Sequence, residues 1–115
     1  MDNIAIFIKR GYQKTQITRP GRLYKMKVKS EKMEAKIAEM EPHTQSRWYQ
    51  HDGEEIHLCI EGEMEYQVGD HSYKLSEGDV LWHKSILKHR AKNIGDKKVK
   101  YLTIGAPPTF IESHY

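Results

Sequence analysis

Seven histidines in 115 residues are the first chemical signal in this chain. They are His43, His51, His57, His71, His83, His89 and His114. A lone histidine is usually a surface or satisfied core residue, but two stretches raise some of these above that level. In Tyr49-Gln50-His51-Asp52-Gly53-Glu54-Glu55-Ile56-His57, strand alternation puts Glu55, His57 and Cys59 on one face. Ile56, Leu58 and Ile60 take the other face. A bend at Gly53 can fold His51 onto the side of Glu55. In Lys88-His89-Arg90-Ala91-Lys92-Asn93, His89, Ala91 and Asn93 share a face, so a second strand can bring another imidazole to the same centre. Imidazole nitrogens with a carboxylate oxygen suit a divalent ion, and two histidines with one carboxylate form a recurring open metal site. The competing reading is a solvated acidic hairpin around Glu55.

Other chemistries are weaker. The chain has no glycine-rich phosphate loop and no Cys-x-x-Cys pair. Ser72 beside His71 and Ser113 beside His114 lack a nucleophile-elbow context. Trp48, Tyr49 and Trp82 can line a pocket or stack on a base, with core packing the expected job for Trp82.

The elements that must carry these residues read as strands. Ile4, Ile6 and Ile8 fall on one face of a short strand. Tyr24, Met26 and Val28 alternate with lysines, and Met64, Tyr66 and Val68 alternate with polar residues, as in half-buried antiparallel strands. Gly69-Asp70 offers a two-residue hairpin turn, with Tyr73 and Leu75 on the return strand. Ser76 to Asp79 is a further turn, followed by a strand from Val80 to His83. Val99, Tyr101 and Thr103 alternate in another strand. Short strands with regular turn signals predict a sandwich or barrel. Ser30 to Met40 is ambiguous. Met33, Ile37 and Met40 sit at helical spacing behind a Ser30 cap, whereas a strand would put Met33, Ala35 and Ile37 on one face.

Length fits one domain. A mean hydropathy of −0.81 and a 37% hydrophobic share describe a water-soluble chain with a modest core. No apolar run reaches the ~18 residues a membrane helix needs, and the N-terminus lacks signal-peptide features. A single cysteine, Cys59, predicts a reducing, cytoplasmic setting. The net charge of +3 divides unevenly. Residues 1–42 hold ten basic and five acidic side chains, residues 43–79 two and nine, and residues 80–115 seven and two. That acidic middle argues against a continuous polyanion groove.

Both histidine stretches resemble the two motifs of the cupin superfamily. The first reads His-x-His, three or four residues, Glu, six residues, Gly. Here His51, Glu55 and Gly62 match, while Tyr49 stands at the first histidine position. The second reads Gly, five residues, Pro-x-Gly, two residues, His, three residues, Asn. Gly78, His89 and Asn93 match, while Lys84 and Ile86 replace the proline and glycine. The likeness covers about residues 42–108. It is greatest to the sensor domains of helix-turn-helix regulators, although no helix-turn-helix segment is evident and direct DNA binding is not expected. The resemblance implies an all-β cupin jelly-roll barrel over residues 1–115. Strands within residues 1–41 would pack on the barrel or on a partner, and Ser30–Met40 becomes a strand.

The resemblance also implies a divalent Fe, Mn, Ni or Zn ion on His51, Glu55 and His89. Tyr49 or His57 could complete the set, or the pocket could be metal-free. Cys59, Trp82, His83 and Asn93 are expected to line the pocket. The function implied is small-molecule binding as a sensor or accessory module. The alternative is a metal-dependent dioxygenase, isomerase or lyase with Tyr49, His57 or His83 moving a proton. The apolar face of Ile56, Leu58 and Ile60 predicts a homodimer.

Overall fold

The computed structural model describes residues 4–109. Nine strands and no helix occur among these residues. They are β1 (Thr15–Arg19), β2 (Arg22–Lys29), β3 (Glu34–Met40), β4 (Glu54–Glu61), β5 (Met64–Val68), β6 (His71–Leu75), β7 (Val80–Lys84), β8 (His89–Lys92) and β9 (Val99–Ala106). One sheet runs β1-β2-β3-β9-β4-β7 and the other β6-β5-β8, with every pairing antiparallel. Isolated bridges from Gln45 to Lys92 and from Tyr49 to His89 extend the smaller sheet. This is the all-β jelly-roll arrangement that the cupin resemblance implied.

Cross-strand register builds the interior as rows, because directly opposed residues project to the same face. One row is Ala38, Tyr101 and Cys59. The next is Lys36, Thr103 and His57, and the next Glu34, Gly105, Glu55 and His83. Met40, Val99 and Met64 are completely buried at the apolar end. The interior thus grades from a hydrocarbon core into a polar end. Gly69, at φ 57, makes the β5–β6 hairpin without a Cβ penalty.

Three local expectations are corrected. Ile4, Ile6 and Ile8 form no strand: Ile4 is fully exposed, and Ile6 and Ile8 lie near Lys27 to Lys29. Residues 30–40 yield a strand over Glu34–Met40, in which Ala35 and Ile37 share the outer face. Glu34, Ala38 and Met40 are buried, while Met33 is 48% exposed. Ser30 closes a turn through the Met33 and Lys32 amides instead of capping a helix. An irregularity between Met26 and Val28 carries Val28 opposite Ala35, off the inner face that Tyr24 and Met26 occupy.

Candidate metal centre

Glu55 stands at the centre of the polar end. It is buried on β4, and its Oε1 accepts a 2.9 Å hydrogen bond from the fully buried Ser85 hydroxyl. His89 Nε2 lies 2.9 Å from the same oxygen, His51 Nε2 3.5 Å and His83 Nε2 3.8 Å. The three rings arrive by different routes. His89 projects inward from β8, and His83 from β7 directly opposite Glu55. His51 precedes Gly53, whose φ of 100 turns the chain into β4. A Cβ at Gly53 would lie 2.2 Å from the Ala106 carbonyl oxygen, so the bend requires glycine.

Each of these rings is held through its other nitrogen. His51 Nδ1 lies 3.0 Å from the Asp52 carbonyl, His83 Nδ1 3.0 Å from that of Lys84, and His89 Nδ1 2.7 Å from that of Leu87. A carbonyl only accepts, so Nδ1 carries a hydrogen and Nε2 is the atom left to face the carboxylate. Three Nε2 atoms then converge on one carboxylate oxygen. Acceptors this close repel unless a cation, either a proton or a metal ion, lies among them. Backbone-oriented imidazoles of this kind are the usual outer support of metal-ligating histidines.

The electrostatics keep the carboxylate available. Burial pushes the Glu55 carboxyl up, but the His89 hydrogen bond and the Lys36 charge outweigh it and hold it well below the ordinary range. Burial lowers His83. His57 is driven down to about 3, mainly by burial and against the pull of Glu55, and therefore stays neutral. Its Nδ1 is 2.7 Å from the Thr103 hydroxyl and its Nε2 2.9 Å from His83 Nε2. It stacks on Tyr66 at 4.0 Å between ring centroids. Two overlapping donor groups result: His51, Glu55 and His89, and Glu55, His57 and His83. Imidazole nitrogens with one carboxylate fit a divalent ion of the Fe, Mn, Ni or Zn kind.

The expected trio of His51, Glu55 and His89 is therefore together. Tyr49 lines the cavity, with its hydroxyl engaged by Tyr24 and Arg22. His83 is nearer the centre than a lining role implied. Three expected lining residues are elsewhere. Trp82 is 52% exposed on the outer face, its indole donating to Glu54, because β7 turns Leu81 and His83 inward. Asn93 is buried beyond β8, where its amide donates to the Met40 and Lys97 carbonyls and ties down a turn. Cys59 lies toward the hydrocarbon core, within 3.3 Å of the Gly62 carbonyl, and burial raises its thiol pKa. Sequence reasoning missed Ser85, Glu34, Lys36 and Thr103. The last was legible as an inward residue of β9, whereas the inward phase of β3 was not.

Residues 36–105 match the Cupin domain family, and the chain belongs to it. KdgF from Halomonas sp. is similar over 93% of this chain and 98% of its own, with a TM-score of 0.79 at 16% identity. The Cupin_2 domain of an XRE family transcriptional regulator from Enterobacter cloacae matches over 76% of this chain and 98% of its own, with a TM-score of 0.71 at 16% identity. At such identities the likeness shows the fold alone. An uncharacterized protein of Archaeoglobus fulgidus is 33% identical over 51 residues, covering 44% of this chain. The chain thus spans about half the length of that relative, 48%. Among the described residues no helix is long and apolar enough to cross a membrane.

Proposed function

We propose that this cupin holds a divalent metal ion on His51, Glu55 and His89, with His83 as a fourth donor, and binds a small molecule beside it. The single observation that carries this reading is the convergence of three Nε2 atoms on Glu55 Oε1. Such an ion supplies a Lewis-acidic centre for a ligand oxygen. Around it, the protein's own groups orient and shield: Ser85 fixes the carboxylate, backbone carbonyls fix the rings, and Tyr66 closes the wall. His83 takes the place that Tyr49 leaves, because Tyr49 is already engaged by Arg22 and Tyr24.

The role that follows is a ligand sensor or accessory binding module, which suits the likeness to the regulator's cupin domain. A second reading, a metal-dependent enzyme, is favoured by the buried His57 held between Thr103 and His83, a hydrogen-bonded path along which a proton can pass. A cytoplasmic setting belongs to the same proposal and rests on the single free cysteine.

A second copy of the chain completes the assembly in this proposal. On the outer face, Ala35, Ile104, Ile56 and Trp82 form one row across four strands, and Ile37, Leu102, Leu58 and Val80 the next. Ile56, Trp82 and Val80 are 40%, 52% and 62% exposed, an apolar patch that pairing would cover.

Metal analysis of protein purified without an affinity tag tests the central claim. About one equivalent of Fe, Mn, Ni or Zn per chain is expected, with loss in Glu55→Ala and His89→Ala. A wild type that takes up none of these ions, or variants with a full complement, would overturn it. His83→Ala should retain the ion at reduced affinity.

A further inference from the structure

Tyr24, Tyr49, Tyr66 and Tyr101 line the cavity that holds His51, Glu55 and His89. Two of these phenols are engaged by the protein. The Tyr24 hydroxyl accepts a 3.1 Å hydrogen bond from Arg22 Nη1, and Tyr49 joins the same group. The other two are not. Tyr66 projects inward from β5 and Tyr101 from β9, with only 5% and 4% of their surface exposed. Among the described residues, neither of these hydroxyls makes a hydrogen bond. Neither oxygen belongs to the sealed, partnerless atoms of the interior, so each opens onto the cavity its ring lines.

A hydroxyl carried into an interior without a protein partner costs free energy, and phenylalanine would fill either place without that cost. Burial also pushes both phenols well above their ordinary value, so each stays an O–H donor across the physiological range. The two rings flank His57, Tyr66 stacked on it at 4.0 Å and Tyr101 edge-on at 6.2 Å between centroids. Both donors therefore serve one chamber. A carbonyl oxygen has two lone pairs and can accept from both. We infer that Tyr66 and Tyr101 are paired recognition residues for the ligand, and that the ligand presents to them a carbonyl oxygen, as a ketone, an amide or a carboxylate. This assignment rests on the small-molecule part of the reading above, and not on the metal ion.

The test uses the full chain as purified, with metal content measured first. Binding of acetone, acetamide and acetate is followed by nuclear magnetic resonance titration, and the three probes separate a ketone, an amide and a carboxylate as the source of the oxygen. The wild type should bind at least one of them. Tyr66→Phe and Tyr101→Phe should each weaken that binding by about threefold to tenfold, the scale of one hydrogen bond, at unchanged metal content. Thermal unfolding supplies a second measurement. Both variants lose no protein hydrogen bond and should match the wild-type Tm to within about 2 °C or exceed it. Tyr24→Phe strips a partner from Arg22 and should lower Tm by about 4 °C or more. Unchanged probe binding in either variant overturns the inference and leaves small-molecule binding standing. A fall in Tm equal to that of Tyr24→Phe in either variant also overturns it, because the hydroxyl is then structural. A wild type that binds none of the three probes overturns the carbonyl assignment, while the metal content reports separately on the ion.

Discussion

Acidifying the metal-free protein from pH 7 to pH 5 should destabilise it by about 2 kcal/mol through His57 alone. The ring is 1% exposed, stacked on Tyr66, and hydrogen-bonded at both nitrogens. Its folded pKa is about 3, against 6.5 in the unfolded chain. For a depressed base, the unfolded state binds the proton first. Stability is therefore full above pH 6.5 and falls as pH drops toward 3. The slope approaches about 1.4 kcal/mol per pH unit once the unfolded ring is protonated. Integration from pH 7 to 5, with the folded ring neutral throughout, gives about 2 kcal/mol. His83, also lowered by burial, adds a loss of the same sign. Glu55, lowered from 4.5, titrates below this window. Urea unfolding followed by far-ultraviolet circular dichroism, in the presence of a chelator, measures the effect. His57→Gln keeps a donor and an acceptor but cannot titrate, so its loss between the two pH values should be smaller by about 2 kcal/mol. Equal losses in the two proteins would refute the assignment of a neutral, buried His57.

Ser85→Ala removes the 2.9 Å hydrogen bond to Glu55 Oε1 and should weaken Zn(II) or Mn(II) binding by about tenfold or more at unchanged stoichiometry, read by metal titration. Gly53→Ala puts a Cβ against the Ala106 carbonyl at a positive φ and should destabilise by at least about 2 kcal/mol, read as a lowered Tm. Val80→Lys combined with Trp82→Glu should convert a dimer into a monomer by sedimentation velocity; a surviving dimer rejects the outer face as the interface.

The alternation of β4 was enough to put Glu55 and His57 on one inward face, because side chains in a strand have a period of two whatever surrounds them. The motif spacing added His51 and His89, and turn residues such as Gly69-Asp70 marked the hairpins. What the chain could not announce was phase in strands with apolar residues on both faces. In β7, Val80 and Trp82 compete with Leu81 and His83. In β3, Met33, Ala35 and Ile37 are on their own the more credible inner face. Pairing decided both. Opposite β4, His83 meets Glu55, and opposite β9, Lys36 meets Thr103 and Glu34 meets Gly105. A one-residue slip in register exchanges every inward side chain for an outward one. The polar end of this barrel therefore exists only once nine strands have found their partners, and the charges inside it follow from pairing rather than from local preference.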